Sequence, residues 1–245
     1  MARLQQLLLA IVFLTRLPLG RFLPPRVLPL ASALWAFPLA GGLVGALAGL
    51  PLLIDGPPPV LAALSFGLSV WLTGALHEDA LADFADAAGG RTPEDRLRIM
   101  RDSHIGSYGV MALVCTSALR IAALTQVGPM ALVAAAAGGR TAIVLAMATL
   151  PPARRDGLGH AAGHPTGAAL LAAPAIAVLL LLPLGFGGIA ASVAGLAAAL
   201  LVMRRARRWI GGQTGDVLGA VSVACETAML TVLALVTQGP TSGIS

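Results

Sequence analysis

The sequence predicts an all-α fold: a polytopic membrane helix bundle of about seven transmembrane helices, preceded by an N-terminal interfacial or re-entrant helix. Three observations predict it. Only 11% of the 245 residues are charged and 57% are hydrophobic, whereas a soluble domain carries about 25% charged residues. Apolar runs recur along the chain near the roughly 20 residues needed to cross hydrocarbon. No stretch alternates with the period of two that a barrel strand requires.

The elements follow in order. Residues 3–20 carry Arg3 and the apolar run Leu7 to Leu14, then Thr15-Arg16-Leu17-Pro18 with no small-residue cleavage site. They read as a retained interfacial helix rather than a signal peptide. Apolar segments fall at about 30–54, 58–76, 108–127, 129–150, 168–184, 188–203 and 216–237. Backbone groups in lipid must be satisfied within the segment, so these are helices. Pro57-Pro58-Pro59, Gly128-Pro129 and the stretch from Pro183 to Gly188 punctuate them. Gly41, Gly42, Gly45 and Gly49 allow neighbouring helices to approach closely.

All sixteen basic residues are Arg, and they cluster before residue 30, at 91–101, at 154–155 and at 204–208. The turns near 51–59, 126–129 and 184–188 carry none. The positive-inside rule then predicts a multi-pass protein of the cell inner (cytoplasmic) membrane, with each Arg-bearing loop cytoplasmic and the tail from Gln238 outside. One integral membrane domain, 1–245, accounts for the whole chain. The lipid bilayer is its solvent, and a homo-oligomer is compatible with it. Aromatics are scarce at 4% and no basic stripe interleaves with them, so no nucleic-acid partner is expected. Cys115 and Cys225 sit in apolar runs and read as helix-packing residues, not a disulfide or zinc site.

Seven of the eleven acidic residues lie between 78 and 102. They belong to a segment, 77–107, expected to be the cytoplasmic active site. Asp79, Asp83 and Asp86 are spaced i, i+4, i+7 and share one helix face. Like charges at that spacing repel by a few tenths of a kcal/mol per pair, so something positive should compensate. Hard oxygen ligands on one face suit Mg²⁺ or Mn²⁺, which usually takes a few carboxylates plus substrate phosphate. Glu78 and Asp216 join the three aspartates as candidate metal ligands. The bland alternative is a solvated helix cap, but such caps mix signs and no Arg occurs from 77 to 90. Thr92-Pro93-Glu94-Asp95 reads as a helix start, so Glu94 and Asp95 are capping residues. Arg91 and Arg101 can hold phosphate oxygens; Arg96 and Arg98 face headgroups or solvent.

Ionisable residues inside a span are functional candidates by default. Arg120, Arg140 and Glu226 are such residues, with an internal ion pair as the alternative. Gly138-Gly139 before Arg140 favour substrate contact there, and Glu226 is counted with it. The loop Arg154-Arg155-Asp156-Gly157-Leu158-Gly159 with His160 and His164 is polar, but Gly163 and Pro165 argue against a helical His–metal pair. Gly211-Gly212-Gln213-Thr214-Gly215-Asp216 precedes the last span, where a Gly-rich helix N-terminus can cradle an anion. Thr214 is a candidate substrate contact; Asp216 is either the helix cap or a further metal carboxylate.

The run from Gly74 through His77-Glu78-Asp79-Ala80-Leu81-Ala82-Asp83-Phe84-Ala85-Asp86 resembles the cobalamin synthase (adenosylcobinamide-GDP ribazoletransferase) family. So do Ile99-Met100-Arg101-Asp102-Ser103, Ile105 to Gly109, Phe13 to Pro18, Gly139-Arg140, Gly157-Leu158-Gly159 and Gly212 through Ala220 with Glu226. The matches run in family order over nearly the whole chain. Ala80 stands where the family commonly has Gly, and Ala87-Ala88 also departs from its pattern. The resemblance implies that a hydroxyl of α-ribazole, or of its 5′-phosphate, attacks the cobinamide-side phosphorus of adenosylcobinamide-GDP. GMP leaves, and adenosylcobalamin or its 5′-phosphate forms, with Mg²⁺ as cofactor. Asp79 and Asp83 are the expected catalytic residues, and His77 is a weaker candidate to take the hydroxyl proton. The acidic spacing also echoes CDP-alcohol phosphotransferases, whose remaining elements are not in register here. A transporter, the other rival, places its polar groups near the midplane in repeated halves, and no repeat is visible.

Overall fold

A computed structural model of the chain describes residues 2–25, 28–154 and 163–237. Among them the elements are helices, and no strand occurs. The first, α1 (Ala2–Leu14), has 13 residues. At about 20 Å it is too short to cross a hydrocarbon core of about 30 Å. It lies against the 3₁₀ run Leu30–Ala36 that leads into α2 (Phe37–Ala48). Trp35 Nε1 donates to Gln6 Oε1 at 2.9 Å, and the Phe13 and Phe37 rings stack at 6.0 Å. Helix α2 runs antiparallel to α7 (Pro129–Thr149). A Cβ at Gly41 would come to 2.5 Å from the Ala136 carbonyl, and one at Gly45 to 2.6 Å from that of Leu132. The small residues singled out in the sequence are therefore what lets these two backbones touch.

Helix α3 (Pro58–Thr73) is followed by α4 (Leu76–Asp86) at a bend of 88°. Gly74 (φ 66°) and Ala75 (φ 59°) are both left-handed and make the bend. The first must be glycine: its Cβ would sit 2.0 Å from Arg16 Nε, because that side chain lies across the corner. For Ala75 the conformation costs about 1 kcal/mol. Helix α4 thus turns nearly at right angles to α3 and lies at the end of the bundle where α6 and α10 begin. Helix α5 (Pro93–Ile99) starts as its sequence predicts, with Thr92 Oγ1 accepting from Asp95 N at 3.2 Å. Helices α6 (Ser107–Leu124), α8 (Gly167–Leu181), α9 (Gly185–Ile210) and α10 (Gly215–Thr237) complete the bundle.

Five helical stretches among the described residues are long and apolar enough to cross a membrane, or six if α3 and α4 count as one broken span. The expectation of about seven separated residues 168–184 from 188–203, whereas the stretch Gly167–Ile210 is continuous over 44 residues. At 1.5 Å per residue that is about 66 Å, twice a bilayer. It doubles back at Leu182–Leu184 and Gly185 (φ 53°). Gly187 lies by Leu233 and Val236 near the end of α10, while Ile210 leads through Gly211 to the start of α10, so α9 and α10 are antiparallel. Counting both legs, together with α3, recovers seven.

The two ends of the bundle differ. Arg16 at Gly74, Arg96 at Trp209, Arg154 at Asp216 and the arginines closing α9 gather at the end that carries α4. The other end holds the arginine-free turns, where Gly49 meets Pro129 and Gly187 meets Val236. The loop at 155–162, with Arg155, Asp156, Gly157, Leu158, Gly159 and His160, lies outside the described residues, as does the tail from Gln238.

Candidate active site

The acid helix α4 packs onto α10 at a point of unusually close approach: a Cβ on Gly219 would lie 2.3 Å from the Cβ of Ala80. Ala80, Leu81 and Phe84 bury the inner face of α4. The opposite face presents Asp79, which is exposed, and Asp83, which is half-buried. Burial first, then the negative charges of Asp79, Asp216 and Asp86, push the Asp83 carboxyl up to about 6. The repulsion expected from the spacing is therefore present, and it is enlarged by Asp216 arriving from α10.

Asp86 has a different task. Its two oxygens accept from Gly106 N at 2.7 Å and Gly109 N at 2.8 Å, pinning the start of α6 to the end of α4. Cβ atoms at those glycines would reach 2.5 and 2.4 Å from this carboxylate. Glu78 is also engaged: its Oε1 accepts from Arg120 Nη1 at 2.8 Å. Of the five candidate metal ligands, Asp79, Asp83 and Asp216 remain, near enough that the charges of Asp79 and Asp216 act on Asp83. Among the described residues no three His, Cys, Asp or Glu side chains stand close enough to make a metal cage by themselves. Mg²⁺ does not require one, because it is commonly held by one or two carboxylates with water and substrate phosphate. The uncompensated charge around Asp83 fits that mode of binding.

Behind α4 runs a buried chain of charges. Arg120 pairs with both Glu78 and Glu226, and Glu226 pairs in turn with Arg140. Arg140 and Glu226 are 3% and 2% exposed, and Arg120 also lies over the Phe66 ring at 4.9 Å. Two carboxylates and two guanidiniums cancel, which is how four charges can be tolerated in a helix bundle. Arg140 and Glu226, expected to touch substrate, are ion-paired to each other here, with the buried Arg140 Nε left without a hydrogen-bond partner among the described residues. His77 is likewise buried at 3% exposure, against a cavity that Asp79 also lines, and its Nδ1 has no hydrogen-bond partner among the described residues.

The loops before α10 complete the arrangement. Gln213 N donates to Pro151 O at 2.8 Å and Ala153 N to Gln213 O at 2.9 Å, stitching the end of α7 to the approach to α10. This brings Arg154 Nη2 to 3.9 Å from Asp216 Oδ2. The cap of α10 is Thr214: its hydroxyl accepts from Val217 N at 3.3 Å and donates to Asp216 Oδ2 at 3.1 Å. Thr214, a candidate substrate contact, is 1% exposed and orders the loop here, which leaves the Asp216 carboxylate free of the capping role. Arg91 and Arg101 stand exposed on the segment between α4 and α6.

Asp79 and Asp216 also edge a cavity of about 260 Å³ walled by Phe13, Leu14, Phe37, Ile143, Met147 and Leu218. Sequence reasoning singled out Phe13, Leu14 and Leu218 as parts of family-like runs but did not foresee that α1, α2, α7 and α10 would wall one cavity with them. Nor did it give Arg154 its place. Its polar, Gly-rich surroundings marked the loop but not its neighbour.

The chain matches the family model for CobS, cobalamin-5-phosphate synthase, over residues 6–234. It belongs to the cobalamin-5-phosphate synthase family. A relative from Bradyrhizobium diazoefficiens is 43% identical over 243 residues, covering 94% of each chain. One from Azorhizobium caulinodans is 43% identical over 246 residues, 90% of this chain and 92% of its own. One from Rhizobium etli strain CIAT 652 is 39% identical over 253 residues, 92% and 94% respectively. All three are named adenosylcobinamide-GDP ribazoletransferase. No solved structure matches the chain. The family resemblance seen in the sequence maps onto this geometry in two groups. Phe13 and Leu14, His77, Asp79 and Ala80, and Gly215, Asp216, Leu218 and Gly219 contribute to the cavity wall, while Gly139, Arg140 and Glu226 belong to the buried charge chain.

Proposed function

We propose that this multi-pass membrane protein is an adenosylcobinamide-GDP ribazoletransferase. A hydroxyl oxygen of α-ribazole, or of its 5′-phosphate, attacks the phosphorus attached to cobinamide. The bond from that phosphorus to the bridging oxygen breaks, and GMP leaves with that oxygen. The product is the phosphodiester adenosylcobalamin or its 5′-phosphate. The observation that carries this reading is kinship over residues 6–234 with relatives of that name aligned over nine-tenths of their length.

The residues divide the work. Asp83, whose carboxyl is raised to about 6 by burial and neighbouring carboxylates, would take the hydroxyl proton, since a base works best with a pKa near the working pH. It is a better candidate than the buried His77. Asp79 and Asp216 would hold Mg²⁺ together with the substrate diphosphate. When bound, the ion supplies charge neutralisation for the diphosphate and the departing GMP. Arg154, Arg91 and Arg101 would take phosphate oxygens that the metal does not. The apolar cavity suits the fused aromatic ring of the acceptor and brings its ribose towards Asp79 and Asp216. The arginine-rich end faces the cytoplasm of the cell inner membrane, following the positive-inside rule.

The test uses membranes containing the protein, adenosylcobinamide-GDP, α-ribazole and Mg²⁺, with GMP release as the readout. GMP should appear only with both substrates present. Asp79→Ala and Asp83→Ala should abolish its release while the protein remains inserted. Full activity in both variants removes the assigned site. Substrate uptake without GMP from the unaltered protein removes the function and leaves a transporter.

A further inference from the structure

A groove beside the last turns of α9 takes no part in the chemistry above. It has a volume of about 560 Å³ and is walled by Arg204, Arg205 and Arg208, with Leu201, Val202 and Phe84. The three arginines are exposed, and none makes an ion pair among the described residues. Three guanidiniums on two helical turns without a counter-charge repel one another, so the groove favours an anion.

Its other wall decides which kind of anion. Val193, Leu196, Leu200 and Leu201 are 65%, 48%, 48% and 69% exposed. Their spacing puts them on one face of α9, and that face continues into the arginines. A single stripe therefore passes from bare hydrocarbon-facing side chains to guanidiniums at the arginine-rich end. A small soluble phosphate has no use for such a wall, whereas a phospholipid matches it along its length. The groove is also firmly built. The Trp209 ring lies under Arg205 at 4.6 Å and Arg96 at 5.1 Å, and 5.3 Å from Phe84, while Arg96 donates to the Trp209 carbonyl at 3.4 Å.

We propose that this groove binds an anionic phospholipid, its headgroup phosphate among Arg204, Arg205 and Arg208 and an acyl chain along Leu200 and Leu201. Planar guanidinium forks bind phosphate oxygens in pairs, and basic residues flanking a span recruit anionic lipids. Phosphatidylcholine, without net charge, gains much less.

The chain has three tryptophans. With Trp35→Phe and Trp71→Phe, emission reports on Trp209 alone. The protein is placed in phosphatidylcholine vesicles doped with brominated phosphatidylglycerol or brominated phosphatidylcholine. Quenching by the brominated phosphatidylglycerol should be several-fold greater, and Arg204→Gln/Arg205→Gln/Arg208→Gln should erase the difference. Equal quenching by the two lipids overturns the proposal, as does displacement of the quenching lipid by millimolar inorganic phosphate. A second measurement needs no tryptophan variant: lipids carried through purification are extracted and weighed by mass spectrometry. The unaltered protein should retain phosphatidylglycerol that the triple-arginine variant loses, and equal retention by the two also overturns the proposal.

Discussion

Two groups of charges share α4 and α10 and are governed by opposite physics. In the buried group, Glu78, Arg120, Glu226 and Arg140 cancel in sequence, and no net charge remains to attract a ligand. In the end group, Asp79 and Asp216 lie close enough to act on the Asp83 carboxyl, and among the described residues the ion pair there is Arg154 with Asp216, at 3.9 Å. The first group spends its charge on holding helices together. The second keeps it available: burial first, and then the neighbouring carboxylates, raise the Asp83 carboxyl. Two carboxylates one residue apart, Glu78 and Asp79, therefore serve different ends because successive residues on a helix point about 100° apart.

The contrast can be broken most forcefully at Glu226. Glu226→Ala leaves Arg120 and Arg140 buried without their shared partner, a change that typically costs about 3–5 kcal/mol. Thermal unfolding in detergent should show a large fall, and lost activity should follow lost fold. Asp83→Asn should do the reverse: GMP release falls by about 10²–10⁴, the usual contribution of a general base, with the folded protein intact. A variant that instead unfolds would move Asp83 into the structural group.

The pH dependence sharpens the same distinction. The folded-state pKa of Asp83 is raised, so its protonated form favours folding below the ordinary value of 3.8, and that contribution is lost as pH rises through about 6. Unfolding measured from pH 4 to 8 should carry this loss, and Asp83→Asn should remove it. Mg²⁺ with the diphosphate substrate should also suppress it by stabilising the ionised form. A slope unchanged in the Asn variant would point to another group. Arg154→Gln should have a smaller effect, raising KM for the GDP-linked substrate about tenfold with kcat little changed, as expected for lost binding energy of about 1.4 kcal/mol. Least of all, Arg98→Ala should alter neither unfolding nor GMP release measurably. Its 2.6 Å pair with Asp95 is exposed, and solvent screens such pairs.

Much of this architecture is legible residue by residue. Thr92 caps α5 as its spacing with Pro93 and Asp95 implies. Gly41 and Gly45 sit where two backbones touch, and the arginine clusters collect at one end. Other assignments fail locally for a clear reason. Asp86 looks like a third ligand on the acidic face, yet its partners are backbone amides 20 and 23 residues away. Asp216 looks as much like a cap as a ligand until Thr214 is seen to do the capping.

Composition and periodicity by themselves determined a helical membrane bundle, its turns and its two unlike ends. Hydrocarbon leaves the backbone no structure but one that satisfies itself, and it tolerates bare charge only at its edges. Tertiary structure alone decided which charges cancel and which stay open. Arg120 meets Glu78 across 42 residues and Glu226 across 106, and no local pattern records such separations. Coulombic pairing depends on distance in space, and that distance exists only after the helices have packed.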